Sequence, residues 1–160
     1  MTTKIISISG DYRTGKTTLA HKLAKALPNA QHFAFADRLK MIVASRYPEQ
    51  AVNIFADEKT TETRNLLGVV GREYLNRFGD SCWSDVLFNE INKTKLDYAI
   101  ISDTRFREEF ARCYLEDATF IHLGASYTGY CFKLLYQIPH YNFVSRPDAS
   151  QVLSTLTFFN

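Results

Sequence analysis

The sequence has few cysteines and no long apolar run, and each shortage excludes a class of protein. Its 160 residues include only 3 cysteines, Cys82, Cys113 and Cys131, which lie far apart and favour neither a disulfide framework nor a zinc site. No apolar stretch approaches the roughly 18 residues that a membrane-spanning helix needs. The first predicted strand begins too close to Met1 to leave room for a signal peptide. We therefore expect a protein of a reducing cytoplasm.

An excess of one charge is also lacking. The chain has 19 Lys and Arg against 17 Asp and Glu, with a net charge of +2, and no basic run stands out. Nothing therefore favours nucleic acid or a membrane surface as a partner. Aromatic residues are plentiful, with 12 Phe and 9 Tyr, so we expect one domain with a well-filled core that buries about two-thirds of its unfolded surface.

The strongest motif lies close to Met1. Residues 10–17, GDYRTGKT, match the phosphate-binding pattern GxxxxGK[ST] at every fixed position, between a β-branched strand at 4–9 and a helix at 18–27. Glycines allow a tight turn whose backbone N–H groups converge on an anion, and the helix N-terminus adds its positive dipole end. Lys16 would reach the β- and γ-phosphates, and Thr17 would bind Mg²⁺. The predicted donor-nucleotide residues are Gly10, Arg13, Thr14, Gly15, Lys16, Thr17 and Thr18. A glycine-rich turn that happens to precede a helix is the alternative.

Strand and helix patterns alternate along the chain. Strands are predicted at 4–9, 31–36, 98–102, 118–123 and 152–159, with helices at 18–27, 37–44, 63–78, 83–94 and 108–115. This alternation predicts a parallel sheet with right-handed crossovers. Residues 48–61 show no clear periodicity and mixed charge, and are predicted to form a mobile insertion. Ligands of such sheets bind at the carboxyl ends of the strands.

Charged residues follow the strand predicted at 98–102. Asp103 comes directly after it, where a carboxylate can bind Mg²⁺ through water or cap a helix; the phosphate loop favours the metal. Arg105 and Arg107 carry guanidinium forks suited to phosphate, and with Lys16 they are the predicted catalytic residues. The alternative for the arginines is a solvated helix start in which they pair with the two glutamates that follow.

Several segments together resemble a known family. Residues 103–109, DTRFREE, resemble the D-x-R-F-x-x-E segment of the deoxynucleoside monophosphate kinases of tailed bacteriophages, which are P-loop enzymes of the nucleoside monophosphate kinase type. Residues 35–40, FADRLK, are similar to the family's F-A-D-x-L-K, and residues 64–71, RNLLGVVG, to its R-x-L-L-Q-x-x-G helix. Trp83 stands where the family often has tryptophan. The resemblance covers residues 4 to about 124.

The resemblance implies roles at the acceptor nucleotide for six residues: Phe35, Asp37, Lys40, Arg64, Arg77 and Trp83. It implies that the aspartate and the lysine lie beside the acceptor nucleotide, that the two arginines clamp the monophosphate, and that the two aromatic residues contact the base. A helix N-cap for the aspartate and core packing for the aromatic residues stay open as alternatives.

The chain also departs from the family pattern. Gly68 replaces the family's glutamine, which leaves the nucleobase open and hints at close approach of a ligand or backbone. A lid is expected at about 125–145, yet Lys133 is the only basic residue between Gly124 and Pro139. No terminal helix is predicted after the strand at 152–159. These departures favour, as an alternative, a nucleotide-binding module with reduced catalysis.

We therefore expect residues 1–160 to form a single P-loop kinase domain, a three-layer α/β sandwich whose parallel sheet has the order 2-3-1-4-5. The predicted function is transfer of the γ-phosphoryl of ATP to a (deoxy)nucleoside monophosphate, with Mg²⁺ as cofactor. A P-loop kinase of another small acceptor is a further alternative. ATP and the monophosphate are the expected partners, without nucleic acid or membrane; a homodimer is left open. The expected location is the cytoplasm, that of the host if the chain is viral.

Overall fold

The computed structural model describes residues 2–124 and the backbone of residues 141–143. Within these residues five strands form one sheet in the order β2-β3-β1-β4-β5, and every neighbouring pair is parallel. The strands are β1 (Lys4–Gly10), β2 (Ala30–Phe33), β3 (Tyr98–Ile101), β4 (Thr119–Leu123) and β5 (Tyr141–Phe143). The predicted fold class, with its parallel sheet, is confirmed.

Six α-helices lie between these strands in the described part of the chain. They are α1 (Lys16–Ala26), α2 (Phe35–Arg46), α3 (Ala51–Phe55), α4 (Thr61–Phe78), α5 (Cys82–Ile91) and α6 (Arg107–Leu115). A 3₁₀ turn at Pro48–Gln50 leads into α3. No helix of this part is both long and apolar enough to cross a bilayer.

Apolar side chains on both faces of the central strand hold the three layers together. On one face Ile6 shares a core with Leu19 of α1, and on the other Ile5 shares a core with Phe88 of α5 and Phe110 of α6. Successive side chains of a strand point to opposite faces, which is why neighbouring isoleucines serve different layers. Burial of each such side chain contributes about 1.5–3 kcal/mol.

A third, smaller core joins α2, α3 and α4 outside the sheet. Ile54 of α3 is 0% exposed and lies with Val43 of α2 and Val70 of α4. The mobile insertion predicted at 48–61 therefore contains a 3₁₀ turn and a helix with a buried side chain. A helix of five residues has too few positions to show a helical period, so the sequence pattern did not indicate that Ile54 is buried.

The second strand is shorter than predicted. It ends at Phe33, and α2 already begins at Phe35 after an extended residue, Ala34. The cause is a side chain from a distant part of the chain: the Asp103 carboxylate accepts hydrogen bonds from the backbone N–H groups of Phe35 and Ala36. These donors have no partner within their own helix, so the carboxylate fixes where α2 starts.

The edge of the sheet next to β4 is occupied by residues 141–143 rather than by the predicted fifth strand. That predicted strand, at 152–159, lies outside the described residues. The lid predicted at about 125–145 lies outside the described residues, except for the backbone of Tyr141–Phe143.

Candidate active site

The loop that follows β1 is held in a tight turn by two glycines. Gly10 has φ 143°, and a Cβ there would lie 2.0 Å from the carbonyl oxygen of Leu123, so β1 and β4 approach closely only because this residue is glycine. Gly15, directly before α1, has φ 87°, and Arg13 between them has φ 60°. All three φ values lie where L side chains are rare. Residues 11–15 therefore form a compact turn against the N-terminus of α1.

The first turn of α1 offers hydrogen-bond donors at this loop. The first N–H groups of any helix lack intrahelical partners, and the helix dipole is positive at that end. Thr17 and Thr18 are exposed there, whereas the Thr14 hydroxyl donates back to the Asp11 carbonyl at 2.8 Å. This arrangement suits an anion.

Lys16 is folded over the loop. Its Nζ donates to the carbonyl oxygens of Gly10, at 3.0 Å, and Asp11, and lies 3.5 Å from the Thr14 hydroxyl. Burial, together with the positive charge of Arg105, lowers the pKa of Lys16. A phosphate would compete well for this ammonium group, because an anionic acceptor attracts the cation more strongly than the neutral carbonyl oxygens of the loop do.

Asp103 is used as a helix cap. Its two carboxylate oxygens accept from the backbone N–H groups of Phe35, at 2.8 Å, and Ala36, at 3.0 Å. Burial raises the pKa of Asp103, and these two N–H groups oppose the rise. These contacts are those of the helix-capping alternative for Asp103, here at the start of α2. Metal binding stays a prediction, since a carboxylate has about four lone-pair sites and two are used here.

Oxygen ligands suited to Mg²⁺ come from two elements at this edge of the sheet, the Thr17 hydroxyl on α1 and the Asp103 carboxylate after β3. Mg²⁺ keeps several water ligands and needs one or two carboxylates at most, so these residue types fit it. Over residues 2–124 no group of three or more His, Cys, Asp or Glu side chains is arranged to hold a metal ion.

Glu109 is not a surface partner of the arginines. Its side chain is 8% exposed, and Oε2 accepts from the backbone N–H groups of Arg105, at 2.7 Å, and Phe106, at 3.0 Å. Burial raises the pKa of Glu109 to about 7. The glutamate therefore fixes the backbone of the segment that carries Arg105, while the arginine side chains themselves are exposed. Arg107, predicted to be catalytic, is the first residue of α6.

The predicted acceptor residues of α2 have different surroundings. Phe35 is 3% exposed and packs against Phe88, with ring centroids 6.5 Å apart. These contacts are those of the core-packing alternative, and contact with a base stays a prediction. Asp37 and Lys40 form an exposed ion pair of 2.8 Å. The N-cap alternative for Asp37 is also wrong, because it lies inside the first turn of α2 and Asp103 supplies the cap.

Arg64 and Arg77 do not come together. They are 13 positions apart on α4, which separates them by about 20 Å along the axis and places them on nearly opposite sides of the helix. The Arg64 guanidinium lies at the phosphate loop, with Nη2 3.5 Å from the hydroxyl of Tyr12. Arg77 lies over the ring of Phe78, 5.2 Å from its centroid. That both arginines clamp one monophosphate stays a prediction, and this separation does not favour it.

Trp83 lies near the Arg77 end of α4. Its ring centroid is 5.2 Å from that of Tyr74, which also lies under the guanidinium of Arg46. The indole is partly exposed, and its contact with a base stays a prediction. A Cβ added to the backbone of Gly68 would meet no atom within 4 Å, so close approach of another backbone segment does not explain that glycine.

Sequence reasoning missed two side chains beside the loop. Tyr12 fills a position that the phosphate-binding pattern leaves free, and it contacts Arg64. His122, at the end of β4, is buried, and its Nδ1 is 3.0 Å from the hydroxyl of Ser9 on the adjacent strand. Burial lowers the pKa of His122. Only strand pairing reveals the histidine, because Ser9 and His122 are 113 positions apart.

Comparisons with known proteins find likeness in structure alone. No protein-family model matches the chain, and no curated protein does. Among solved structures, the Deinococcus radiodurans tunicamycin resistance protein has a TM-score of 0.43 at 15% identity, over 97% of this chain and 79% of that chain. Shikimate kinase from Bacteroides thetaiotaomicron has a TM-score of 0.41 at 14% identity, over 97% of this chain and 78% of that chain. Thymidylate kinase from Candida albicans has a TM-score of 0.41 at 15% identity, over 99% of this chain and 91% of that chain. These likenesses are too distant to assign a substrate or a residue's role.

Proposed function

We propose that the protein is a kinase that transfers the γ-phosphoryl group of ATP to a (deoxy)nucleoside monophosphate. The observation that carries this proposal is the phosphate loop, with its lysine folded over it and with Arg64 of a separate helix in contact with loop residue Tyr12. A loop of this kind holds a polyphosphate. A cation brought to it from another element is what a second phosphate, entering from the acceptor side, would need.

On the donor side, loop amides and Lys16 would bind the β- and γ-phosphates. Lys16 would exchange its neutral carbonyl acceptors for phosphate oxygens. Its positive charge would then stabilise the negative charge of the phosphoryl group in transfer. Thr17 and Asp103 would hold Mg²⁺, which supplies further neutralisation of phosphate charge when bound. The positive charge of Arg105 lowers the pKa of Lys16, so its guanidinium would act on the same phosphates as Lys16.

On the acceptor side, Arg64 would bind the monophosphate. Lys40 and Asp37, paired on α2, would lie beside the nucleotide. No protein base is required, because the attacking oxygen of a monophosphate is already anionic. Catalysis would then consist of positioning and electrostatic stabilisation of the phosphoryl group in transfer.

One observation favours a kinase of another small acceptor as the second candidate. Arg77 lies about 20 Å along α4 from Arg64, so only one of the two arginines expected on a monophosphate is at the loop. A smaller or less charged acceptor needs fewer cations, and a hydroxyl acceptor would also need a base.

A coupled assay of ADP formation tests these candidates. ADP formation well above the background ATPase with at least one nucleoside monophosphate supports the proposal. Turnover with sugars or other hydroxyl acceptors alone would establish the second candidate. ATP binding without ADP formation on any acceptor would point to a nucleotide-binding module.

A further inference from the structure

Tyr12 lies on the phosphate loop with most of its side chain in water. It is 65% exposed, so burial does not account for an aromatic residue here. Two guanidinium groups lie over its ring instead. The Cζ atom of Arg13 is 5.4 Å from the ring centroid, and that of Arg64 is 5.8 Å from it. Both distances are within the range of a cation–π contact.

A second pair of contacts connects the same loop to the start of α4. Arg13 forms an ion pair with Glu58, and Arg64 Nε donates to the carbonyl oxygen of Lys59 at 3.2 Å. Residues 58 and 59 lead directly into α4, whose N-cap is Thr60. The loop therefore contacts both the helix that carries Arg64 and the segment in front of it.

Arg64 is electrostatically ill placed without these contacts. It lies in the first turns of α4, close to the positive end of the helix dipole, where a cation is unfavourable. The negative face of the Tyr12 ring offsets part of that cost for Arg64. A cation kept at the wrong end of its helix by a phosphate-loop residue is explained by an anion that binds there.

We propose that Tyr12 is a positioning residue that holds Arg64 against the phosphate loop, so that the acceptor phosphate lies next to the donor phosphates. This inference rests on the proposed function and deepens it. Tyr12 does not touch the reacting atoms; it acts through Arg64. Donor phosphates that fix the loop would also fix Tyr12 and hence Arg64. Donor and acceptor binding are therefore coupled, and the coupling is reciprocal.

Binding measurements test the functional consequence. The dissociation constants of a nucleoside monophosphate and of a non-hydrolysable ATP analogue are measured by calorimetry, each with and without the other ligand. Tyr12→Ala is expected to weaken monophosphate binding about fivefold, to leave binding of the analogue alone unchanged, and to abolish the coupling. Tyr12→Phe keeps the ring face and should behave like the wild type, because the hydroxyl contact is long at 3.5 Å. Tyr114→Ala is the matched control, since Tyr114 is an exposed tyrosine of α6, away from the loop.

The double variant separates positioning from general damage. In an Arg64→Ala background, Tyr12→Ala should have no further effect on monophosphate binding. Additive effects of the two substitutions, equal losses for both ligands, or unchanged coupling in Tyr12→Ala would overturn the proposal.

A second measurement does not depend on turnover or on the acceptor. Arg64 lowers the pKa of Tyr12 through its hydrogen bond, with Arg13 adding to the effect. In protein labelled with ¹³C at tyrosine Cζ, the Tyr12 resonance is identified by its loss in Tyr12→Phe. Its pKa should rise in Arg64→Ala, and an unchanged pKa would refute the contact. If the wild type binds no monophosphate but the pKa rises, the proposed function fails while the Tyr12–Arg64 contact stands.

Discussion

At the residue scale, Glu109 holds the backbone beside the site and also has a pKa that burial raises. Its carboxylate is buried yet fixes the backbone at Arg105 and Phe106. Burial raises its pKa to about 7 from an ordinary 4.5. The folded state therefore binds a proton that the unfolded state releases between these two pH values. The stability that this proton contributes is fully present below pH 4.5 and is lost as the pH rises through 7.

Glu109→Gln should remove this pH dependence. Between pH 6 and 8 the free energy of unfolding of the wild type should fall by about 1 kcal/mol more than that of the variant, as measured by urea unfolding. His32 and His122, whose pKa values burial lowers, affect both proteins equally and cancel in the comparison. Parallel pH profiles for the two proteins would show that Glu109 does not titrate in this range.

Asp103→Asn should affect both stability and turnover. An amide keeps one acceptor but turns an NH₂ group towards a backbone N–H at the start of α2, and a buried donor left unpaired costs about 1–3 kcal/mol. Turnover with Mg²⁺ should also fall more than ATP affinity, because the charge is lost. Asp97→Asn, at an exposed aspartate before β3, is the control for stability. A variant as stable as this control would contradict the capping role.

At the element scale, segments with strong local patterns could be predicted and those fixed from a distance could not. The strand before the phosphate loop and the helix at Thr61–Phe78 have clear periods, and both were found to within a few residues. The end of β2 was missed, since it was predicted at residue 36 and lies at Phe33. The Asp103 side chain that starts α2 at Phe35 lies 68 positions away from it. No local pattern contains that information.

The helix α3 allows a matched test of the small outer core. Ile54→Ala should lower the free energy of unfolding by about 2–5 kcal/mol, because it leaves a cavity between α2 and α4. Val52→Ala on the same helix should change it by about 0.5 kcal/mol or less, since Val52 is 83% exposed. Urea unfolding of both variants provides the comparison. Similar losses for the two would mean that α3 does not anchor this core.

At the scale of the whole molecule, the sheet determines which residues meet. Parallel strands place their carboxyl ends at one edge, so the loop after β1, Asp103 after β3 and the start of α2 after β2 adjoin one another. That much followed from the sequence. Which end of α4 reaches the loop did not follow from it, because a motif gives spacing along the chain but not how a helix packs against the sheet.

We propose that the loop carries out phosphoryl transfer, and Lys16 gives the most direct test of this claim. ATP labelled in its γ-phosphoryl group is mixed with the best monophosphate acceptor, and the labelled product is identified by chromatography. The wild type should place the label on the nucleoside diphosphate. Lys16→Ala should lose transfer by at least about a hundredfold while unfolding at an unchanged temperature, because its role is electrostatic. Label found only in inorganic phosphate, or undiminished transfer by the variant, would contradict the claim.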